Sequence, residues 1–135
     1  MPDLIQHVLA TTRRVAVVGA SHKPERPSHE VMAFLIARGF DVVGVSPGLA
    51  GQALHGRPVV ATLDEAGPLD MVDVFRASDQ VAAVMADAIR LGARTVWLQL
   101  GVINAEAVAA GRVAGLQVVE DRCPSIEWRR LGLPT

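Results

Sequence analysis

Four basic side chains fall where the sequence predicts the ligand-binding edge of a sheet. Lys23 and Arg26 lie in the segment VVGASHKPERPS, residues 17–28, between an apolar run and the start of a helical pattern, and Arg76 and Arg122 follow later apolar runs. Arginine binds phosphate oxygens in a bidentate manner, and lysine acts as a mobile positive charge. The formal net charge of the whole chain is −1, which argues against a general affinity for nucleic acid or acidic membranes. A local site for a phosphate-bearing ligand is therefore the chemistry to test, against the alternative that these are ordinary solvated charges.

The segment 17–28 has only part of a dinucleotide-binding fingerprint. Gly19 occupies the position of the first glycine, but Ser21 and Pro24 stand where the second and third would be. Those two glycines allow close approach of the pyrophosphate and close packing of the helix on the strand. The second strand ends in VSPG, residues 45–48, without the acidic residue that binds the ribose of NAD or an arginine for NADP. A nicotinamide cofactor therefore fits the sequence poorly.

The elements that would position these residues alternate between strand and helix patterns. Valine-rich apolar runs are typical of strands buried on both faces, and periodic segments between caps and glycines are typical of helices. The predicted elements are a helix over 3–12, a strand over 14–20, a helix over 28–38 with Ser28 as N-cap, a strand over 40–46, a loop over 47–58, a short helix or turn after 62–65, a strand over 70–75, a helix from Ser78 or Asp79 to Leu91, a strand over 94–100, a helix over 104–114, a strand over 117–120 and a helix over 124–131.

This alternation predicts an α/β fold. We expect a Rossmann-like three-layer sandwich with a parallel sheet of about five strands in the order 3-2-1-4-5, forming a single domain over residues 1–135. Half of the residues are hydrophobic and 20% are charged, as in a folded globular chain. Cys123 is the single cysteine, which excludes an internal disulfide and fits a reducing compartment. With no signal-peptide pattern and no long apolar run, the expected location is cytoplasmic.

In an open parallel sheet, ligands bind beyond the carboxyl ends of the strands, where the strand order reverses. Helix N-termini point to the same edge and favour anions. In this sequence the edge comprises residues 19–28, 45–48, 75–79, 99–104 and 121–124. All four basic side chains fall within it, which favours a shared site over four unrelated surface charges.

Several stretches in a fixed order carry a resemblance to a known family. They are VAVVGAS with KPERPS (15–28), VVGVSPGLAGQALHGRPV (42–59), DMVDVFR (70–76), GARTVWLQLGVIN (92–104) and AGLQVVEDRCPSIEWRRL (114–131). The chain resembles the small single-domain CoA-binding proteins, which are similar to the N-terminal CoA-binding domain of the succinyl-CoA synthetase α subunit. The resemblance spans nearly the whole chain and implies coenzyme A or an acyl-CoA as the cofactor.

The resemblance also implies roles for individual residues. The residues expected at the phosphate loop are Gly19, Ala20, Ser21 and Lys23, with Arg26 nearby; those against the adenosine are Val45, Ser46 and Pro47; those flanking the cofactor are Phe75, Arg76 and Ser78; those bordering the pantetheine arm are Gln99, Gly101 and Val102. Ser46 replaces the asparagine that is usual in this family. His22 lies in the loop and is a further candidate phosphate contact. Cys123 is expected either as a buried packing residue or close to the thiol of CoA, where the two sulfurs would form a mixed disulfide under oxidation.

Residues for catalysis or for a metal are not grouped in the sequence. The four histidines lie on separate predicted elements, and Asp70 and Asp73 face opposite sides of one predicted strand. The family's synthetases carry a phosphohistidine domain and a nucleotide-grasp subunit, for which 135 residues leave no room. We therefore favour a CoA-binding module without catalysis. A detached CoA-binding component of an acyl-CoA ligase system and, less favoured, an NAD(P)- or flavin-binding Rossmann protein remain alternatives.

Overall fold

A sheet of seven strands forms the middle layer of the structure, a computed structural model that describes residues 3–134. The strands are β1 (Arg14–Val18), β2 (Asp41–Val45), β3 (Ala53–Leu54), β4 (Arg57–Val60), β5 (Met71–Val74), β6 (Thr95–Leu98) and β7 (Gln117–Val119). The helices are α1 (Leu4–Thr11), α2 (Pro27–Ala37), α3 (Val81–Arg90), α4 (Ala105–Val113) and α5 (Pro124–Arg130). The strand order is β3-β4-β2-β1-β5-β6-β7, and every pair is parallel except β3 with β4.

Two apolar cores lie on opposite faces of this sheet. Val15 and Val17 of β1 pack in the core covered by α1, α2 and α5, whereas Ala16 and Val18 pack in the core covered by α3 and α4. All four side chains are buried, which explains why the strand is an unbroken apolar run. The predicted three-layer, Rossmann-like α/β fold is confirmed. The expectation of a single domain over 1–135 stays a prediction, because Met1, Pro2 and Thr135 lie outside the described residues.

The strand count and order differ from the prediction. The segment 47–58, predicted as a loop, contains β3 and the start of β4, which form a hairpin, and β4 pairs in parallel with β2. The predicted third strand, 70–75, therefore lies against β1 as β5. These strands were missed because β3 has two residues and β4 contains Pro58, which is tolerated at a short paired edge. With β4 as the third parallel strand, the order becomes 3-2-1-4-5-6.

The predicted starts of α1, α4 and α5 are confirmed, whereas α2 begins one residue earlier than predicted and α3 begins at Val81, after a 3-10 turn over Ser78–Gln80. Asp3 and Asn104 cap their helices by accepting hydrogen bonds from backbone N–H groups. Helix α2 begins at Pro27, with Arg26 at the N-cap position and no capping side chain, and Ser28 is buried in its first turn. Proline, with its fixed φ and missing N–H, suits the first helical position and starts the helix one residue earlier. None of the described helices is long and apolar enough to span a membrane.

Gly19 allows the loop after β1 to cross between the ends of two neighbouring strands. Its φ is +93°, and an added Cβ would lie 2.6 Å from the carbonyl oxygen of Phe75. The Gly19 N–H donates to the carbonyl of Val45 at 3.0 Å. This glycine is therefore required by the close approach of the strand ends, whatever ligand binds there.

We expect Gly19→Ala to lower the free energy of unfolding by about 2 kcal/mol, because it combines a left-handed backbone with a clash against main-chain atoms. Thermal denaturation should show a melting temperature lower by several degrees. Gly48→Ala is the matched control, since a Cβ at Gly48 meets no atom within 4 Å. Equal melting temperatures for the two variants would contradict the packing argument.

Asp73 is an unpaired carboxyl group in the middle of β5. Its side chain is fully buried, and neither carboxyl oxygen has a hydrogen-bond partner within the described chain. In register, Asp73 lies between Val17 of β1 and Trp97 of β6. Burial raises the pKa of Asp73 well above its usual value. The folded protein therefore holds this proton more tightly than the unfolded chain does.

The protonated Asp73 side chain contributes fully to stability below the pKa that Asp73 has in the unfolded chain. This contribution is lost as the pH rises through the higher pKa that Asp73 has in the folded protein. Asp73→Asn removes this titration. The free energy of unfolding of the variant should therefore increase relative to wild type as the pH rises from about 4 to about 8. Urea denaturation at several pH values measures this difference, with the exposed Asp79→Asn as control. A constant difference over the pH range would mean that Asp73 titrates normally.

Candidate functional site

A cavity of about 380 Å³ opens at the carboxyl ends of β1, β2, β5 and β6. It is lined by Gly19, Ala20, Ser21, Lys23, Arg26, Pro27, Ser28, Ser46, Phe75, Arg76, Gln99, Leu100 and Val102. We call it the carboxyl-edge cavity. The chain runs from β1 towards β2 and β4 on one side and towards β5, β6 and β7 on the other. The cavity therefore lies at the point where the strand order reverses, which is the usual ligand site of this architecture.

Ten of the sixteen predicted site residues line this cavity. They are Gly19, Ala20, Ser21, Lys23, Arg26, Ser46, Phe75, Arg76, Gln99 and Val102. Pro27, Ser28 and Leu100 also line it and were missed. Ser28 was interpreted as a cap, and Leu100 is a half-exposed apolar side chain at the cavity. Each of the three lies next to a predicted site residue or within the predicted ligand-binding edge. That position in the sequence is the signal by which they could have been identified.

The carboxyl-edge cavity carries uncompensated positive charge. Among residues 3–134, the charged residues that line it are Lys23, Arg26 and Arg76. Within residues 3–134, none of the three forms an ion pair with a carboxylate. The eleven-residue helix α2 adds the positive end of its dipole, because its first turn lines the cavity without a capping side chain. These features together favour an anionic ligand.

Two histidines brace the loop after β1. The ring Nδ1 of His29 lies 3.0 Å from the Ser21 carbonyl oxygen, and the ring Nε2 of His55 lies 2.9 Å from the His29 carbonyl oxygen. The two rings are in edge contact, with centroids 4.3 Å apart. His55 lies in the turn between β3 and β4, within the segment 47–58 that was predicted as a loop. The hairpin therefore supports the loop after β1 through contacts that no local sequence pattern indicates.

His22 and Arg122 were expected at the site but do not line the cavity. His22 is exposed in the loop. The exposed guanidinium of Arg122 donates instead to the backbone carbonyl of Asp121. Either side chain would have to reach the ligand from outside the cavity wall, so their contacts with phosphate stay predictions.

Ser78 and Gly101 connect the loops around the cavity and do not line it. The Ser78 hydroxyl accepts a hydrogen bond from the N–H of Ile103 at 3.0 Å, and the Asn104 amide donates to the Ser78 carbonyl. The Gly101 N–H donates to the Asp121 carboxylate at 2.8 Å. These contacts join the segments that follow β5, β6 and β7. Their direct contact with a ligand stays a prediction.

Gln99 lines the cavity and has a buried acceptor in its side chain. The residue is 6% exposed, and its side-chain Oε1 has no hydrogen-bond partner within the described chain. A buried carbonyl oxygen without a donor is costly and rare in proteins. Gln99 is therefore a polar residue of this wall of the cavity, with a buried oxygen that no described group satisfies.

Val45, Pro47 and Cys123 lie outside the cavity wall. Val45 is buried, and it borders a smaller neighbouring cavity of about 190 Å³ that also contacts Arg76. Pro47 is exposed at the start of a short 3-10 helix. Cys123 is buried, and its Sγ lies 3.2 Å from the hydroxyl of Ser125. This contact fits the interpretation of Cys123 as a packing residue, and its proximity to the thiol of CoA stays a prediction.

Among the described residues, no group of three His, Cys, Asp or Glu side chains is arranged to hold a metal ion. The carboxyl-edge cavity presents three cations and a helix N-terminus, together with the apolar side chains of Phe75 and Val102.

Known proteins are similar to this chain over most of its length. The family described as CoA binding domain matches residues 13–129. The uncharacterized protein YneT of Bacillus subtilis (strain 168) is 34% identical over 119 residues, which cover 88% of this chain and 87% of that protein.

Two solved structures share the fold closely. One, from Thermus thermophilus and described as cell-free ID.343, has a TM-score of 0.89 at 35% identity, covering 94% of this chain and 96% of the other. The other, a hypothetical protein of Pyrococcus horikoshii OT3, has a TM-score of 0.87 at 34% identity, covering 94% and 89%. Since the family match spans most of the chain, this protein belongs to the CoA-binding domain family.

Proposed function

We propose that this protein binds coenzyme A or an acyl-CoA in the carboxyl-edge cavity, without catalysing a reaction itself. The observation that carries the proposal is a set of three cations, Lys23, Arg26 and Arg76, in the cavity where the strand order of the sheet reverses. Among the described residues, none of the three forms an ion pair, and no carboxylate lines the cavity. Coenzyme A bears a pyrophosphate and a 3′-phosphate, so it requires several cationic or N–H donors. Membership of the CoA-binding family supports this ligand over other phosphate compounds.

The pyrophosphate is assigned to the loop after β1. Lys23 and Arg26 lie on this loop, and the uncapped start of α2 follows immediately. Backbone N–H groups and the helix dipole at such a terminus favour a phosphate group. The brace from His29 to Ser21 fixes the loop before the ligand arrives, which reduces the ordering that binding requires.

The adenosine is assigned to the side of Arg76. This side chain lines both the carboxyl-edge cavity and the smaller cavity beside Val45. A guanidinium in that position can contact a phosphate on one side and a purine face on the other. Ser46 lines the larger cavity next to Val45, so the turn after β2 is assigned to the nucleoside.

The pantetheine arm is assigned to the opposite side, between Phe75, Gln99 and Val102. The arm is largely apolar but carries two amide groups. We expect the Gln99 side chain to turn towards the arm on binding, so that its Oε1, which is buried and has no partner within the described chain, accepts a hydrogen bond from one amide N–H. Leu100, half exposed at the cavity, would cover the apolar part of the arm.

Two further expectations belong to this proposal. The single thiol, Cys123, is in keeping with a reducing cytoplasm. Transfer of the bound CoA to an acyl-CoA ligase subunit would make the protein a component of a larger enzyme system. Co-purification of such a subunit from native extracts tests that role.

Coenzyme A should stabilise the protein against heat, and NAD should not. A ligand at about 100 times its dissociation constant contributes about 2.7 kcal/mol to the free energy of unfolding, which corresponds to several degrees in melting temperature for a domain of this size. NAD requires a ribose-binding acid that does not line this cavity. A clear shift with NAD and none with CoA, measured by differential scanning fluorimetry, would contradict the assignment.

Arg26→Glu should weaken CoA binding at least tenfold while changing the melting temperature of the ligand-free protein little. A charge-assisted phosphate contact is worth roughly 1.5–3 kcal/mol, and reversal of the charge adds repulsion. Isothermal titration calorimetry measures the affinity, which should also fall with added salt. Arg112→Glu, at an exposed arginine outside the cavity, is the matched control. Equal affinities for the two variants would show that Arg26 is a solvated surface charge.

A further inference from the structure

A second cavity, of about 340 Å³, lies at the opposite edge of the sheet, next to the amino ends of β1 and β2. It is lined by Gln6, Leu9, Ala10, Thr12, Arg13, Arg38, Gly39, Phe40, Trp128, Leu133 and Pro134. We call it the amino-edge cavity. It shares no lining residue with the carboxyl-edge cavity. Its walls come from α1, the end of α2, and α5 with the segment that follows it.

Unpaired cations concentrate at these two cavities. Of the thirteen lysine and arginine residues, five arginines form ion pairs within the described chain. Five of the other eight line one cavity or the other. Arg13 and Arg38 are the two at the amino-edge cavity. None of the lining residues within 3–134 is acidic, so the described part of this cavity also carries positive charge without a carboxylate in its wall.

The carboxylate of Asp70 lies near enough to Arg13 to attract its charge, but Asp70 does not line the cavity and forms no ion pair with the Arg13 guanidinium. It accepts hydrogen bonds from the backbone N–H groups of Arg13 and Arg14 and lies 3.3 Å from the guanidinium of Arg94. Within residues 3–134, the Arg13 guanidinium forms no ion pair. The buried Nε of Arg38 has no hydrogen-bond partner within the described chain, and a buried donor of this kind is costly to leave unsatisfied.

Aromatic rings form the apolar wall beside these cations. Trp128 contacts Phe40 edge to face, with ring centroids 6.0 Å apart, and contacts Phe34 in the same manner at 6.1 Å. The Arg38 guanidinium lies 4.2 Å from the centroid of the Phe34 ring. The indole N–H of Trp128 donates to the carbonyl of Pro134 at 2.9 Å, which ties the wall that follows α5 in place.

We propose that the amino-edge cavity is a second ligand site, for a small aromatic acid: a planar ring that carries one anionic group. The ring would lie against Trp128 and Phe40, and the anionic group would face Arg13 and Arg38. Two guanidiniums without carboxylate partners favour an anion, and aromatic side chains favour a flat apolar body. The volume is at the lower end of the range for small-molecule sites, which suits one or two fused rings.

Binding can be measured by heteronuclear NMR on the full chain, with benzoate, indole-3-acetate and phenyl phosphate as probes and neutral benzamide as control. We expect saturable shifts of the Trp128 indole N–H for the carboxylates, for phenyl phosphate, or for both, and none for benzamide. A response to only one class would identify the anionic group. The titrations are repeated with CoA present, and an unchanged response would show that the sites are independent whether or not CoA binds.

Arg13→Gln should weaken binding of the responding probe roughly tenfold or more, because one of the two cationic partners is lost. Arg13 is exposed, so this variant should fold normally. Arg38→Gln tests the half-buried partner, and Arg112→Gln is the matched control. The proposal is overturned if no anionic probe gives saturable shifts, if benzamide binds as well as benzoate, or if Arg13→Gln binds as tightly as Arg112→Gln.

Discussion

The site depends on one close backbone contact, between Gly19 at the end of β1 and the carbonyl of Phe75 after β5. No side chain fits between them, since a Cβ at Gly19 would approach the Phe75 oxygen to 2.6 Å. This contact lies where the strand order of the sheet reverses, and it directs the loop after β1 over the ends of the strands. The cations of that loop then lie beside Arg76, which follows β5 directly. The glycine that resembles a fragment of a dinucleotide fingerprint is thus explained by strand packing.

The basic residues fall into two groups, those in ion pairs and those at the two cavities. Arg14, Arg57, Arg90, Arg94 and Arg130 are paired with carboxylates at the surface. The cations at the two cavities are not, and a protein with a net charge of −1 has enough acidic residues to pair them. Exposed ion pairs contribute little to stability, so leaving the exposed cations Arg13, Lys23 and Arg26 unpaired costs little and preserves their capacity to bind anions. Asp73, by contrast, is an acidic residue without a partner: its carboxyl group is buried, and no described residue forms a hydrogen bond with it.

The sequence predicted the central strands, the helices and the edge at which the site lies, because buried parallel strands such as 14–18 and capped helices leave strong local patterns. It did not reveal β3 and β4, since a two-residue strand and a four-residue strand with Pro58 carry too little periodicity. The contact between His29 and His55 depends on that hairpin and was missed with it. The amino-edge cavity joins residues from both ends of the chain, and only the folded structure shows that Arg13, Arg38 and Trp128 are neighbours.

The central claim is that the carboxyl-edge cavity holds coenzyme A or an acyl-CoA. The most direct measurement is native mass spectrometry of the freshly purified protein, before and after addition of CoA. We predict a complex heavier than the chain by the mass of one CoA or acyl-CoA, either carried from the cell or formed on addition. A protein that retains NAD or a flavin, or that forms no complex at any CoA concentration at which the ligand is in large excess, would contradict the account.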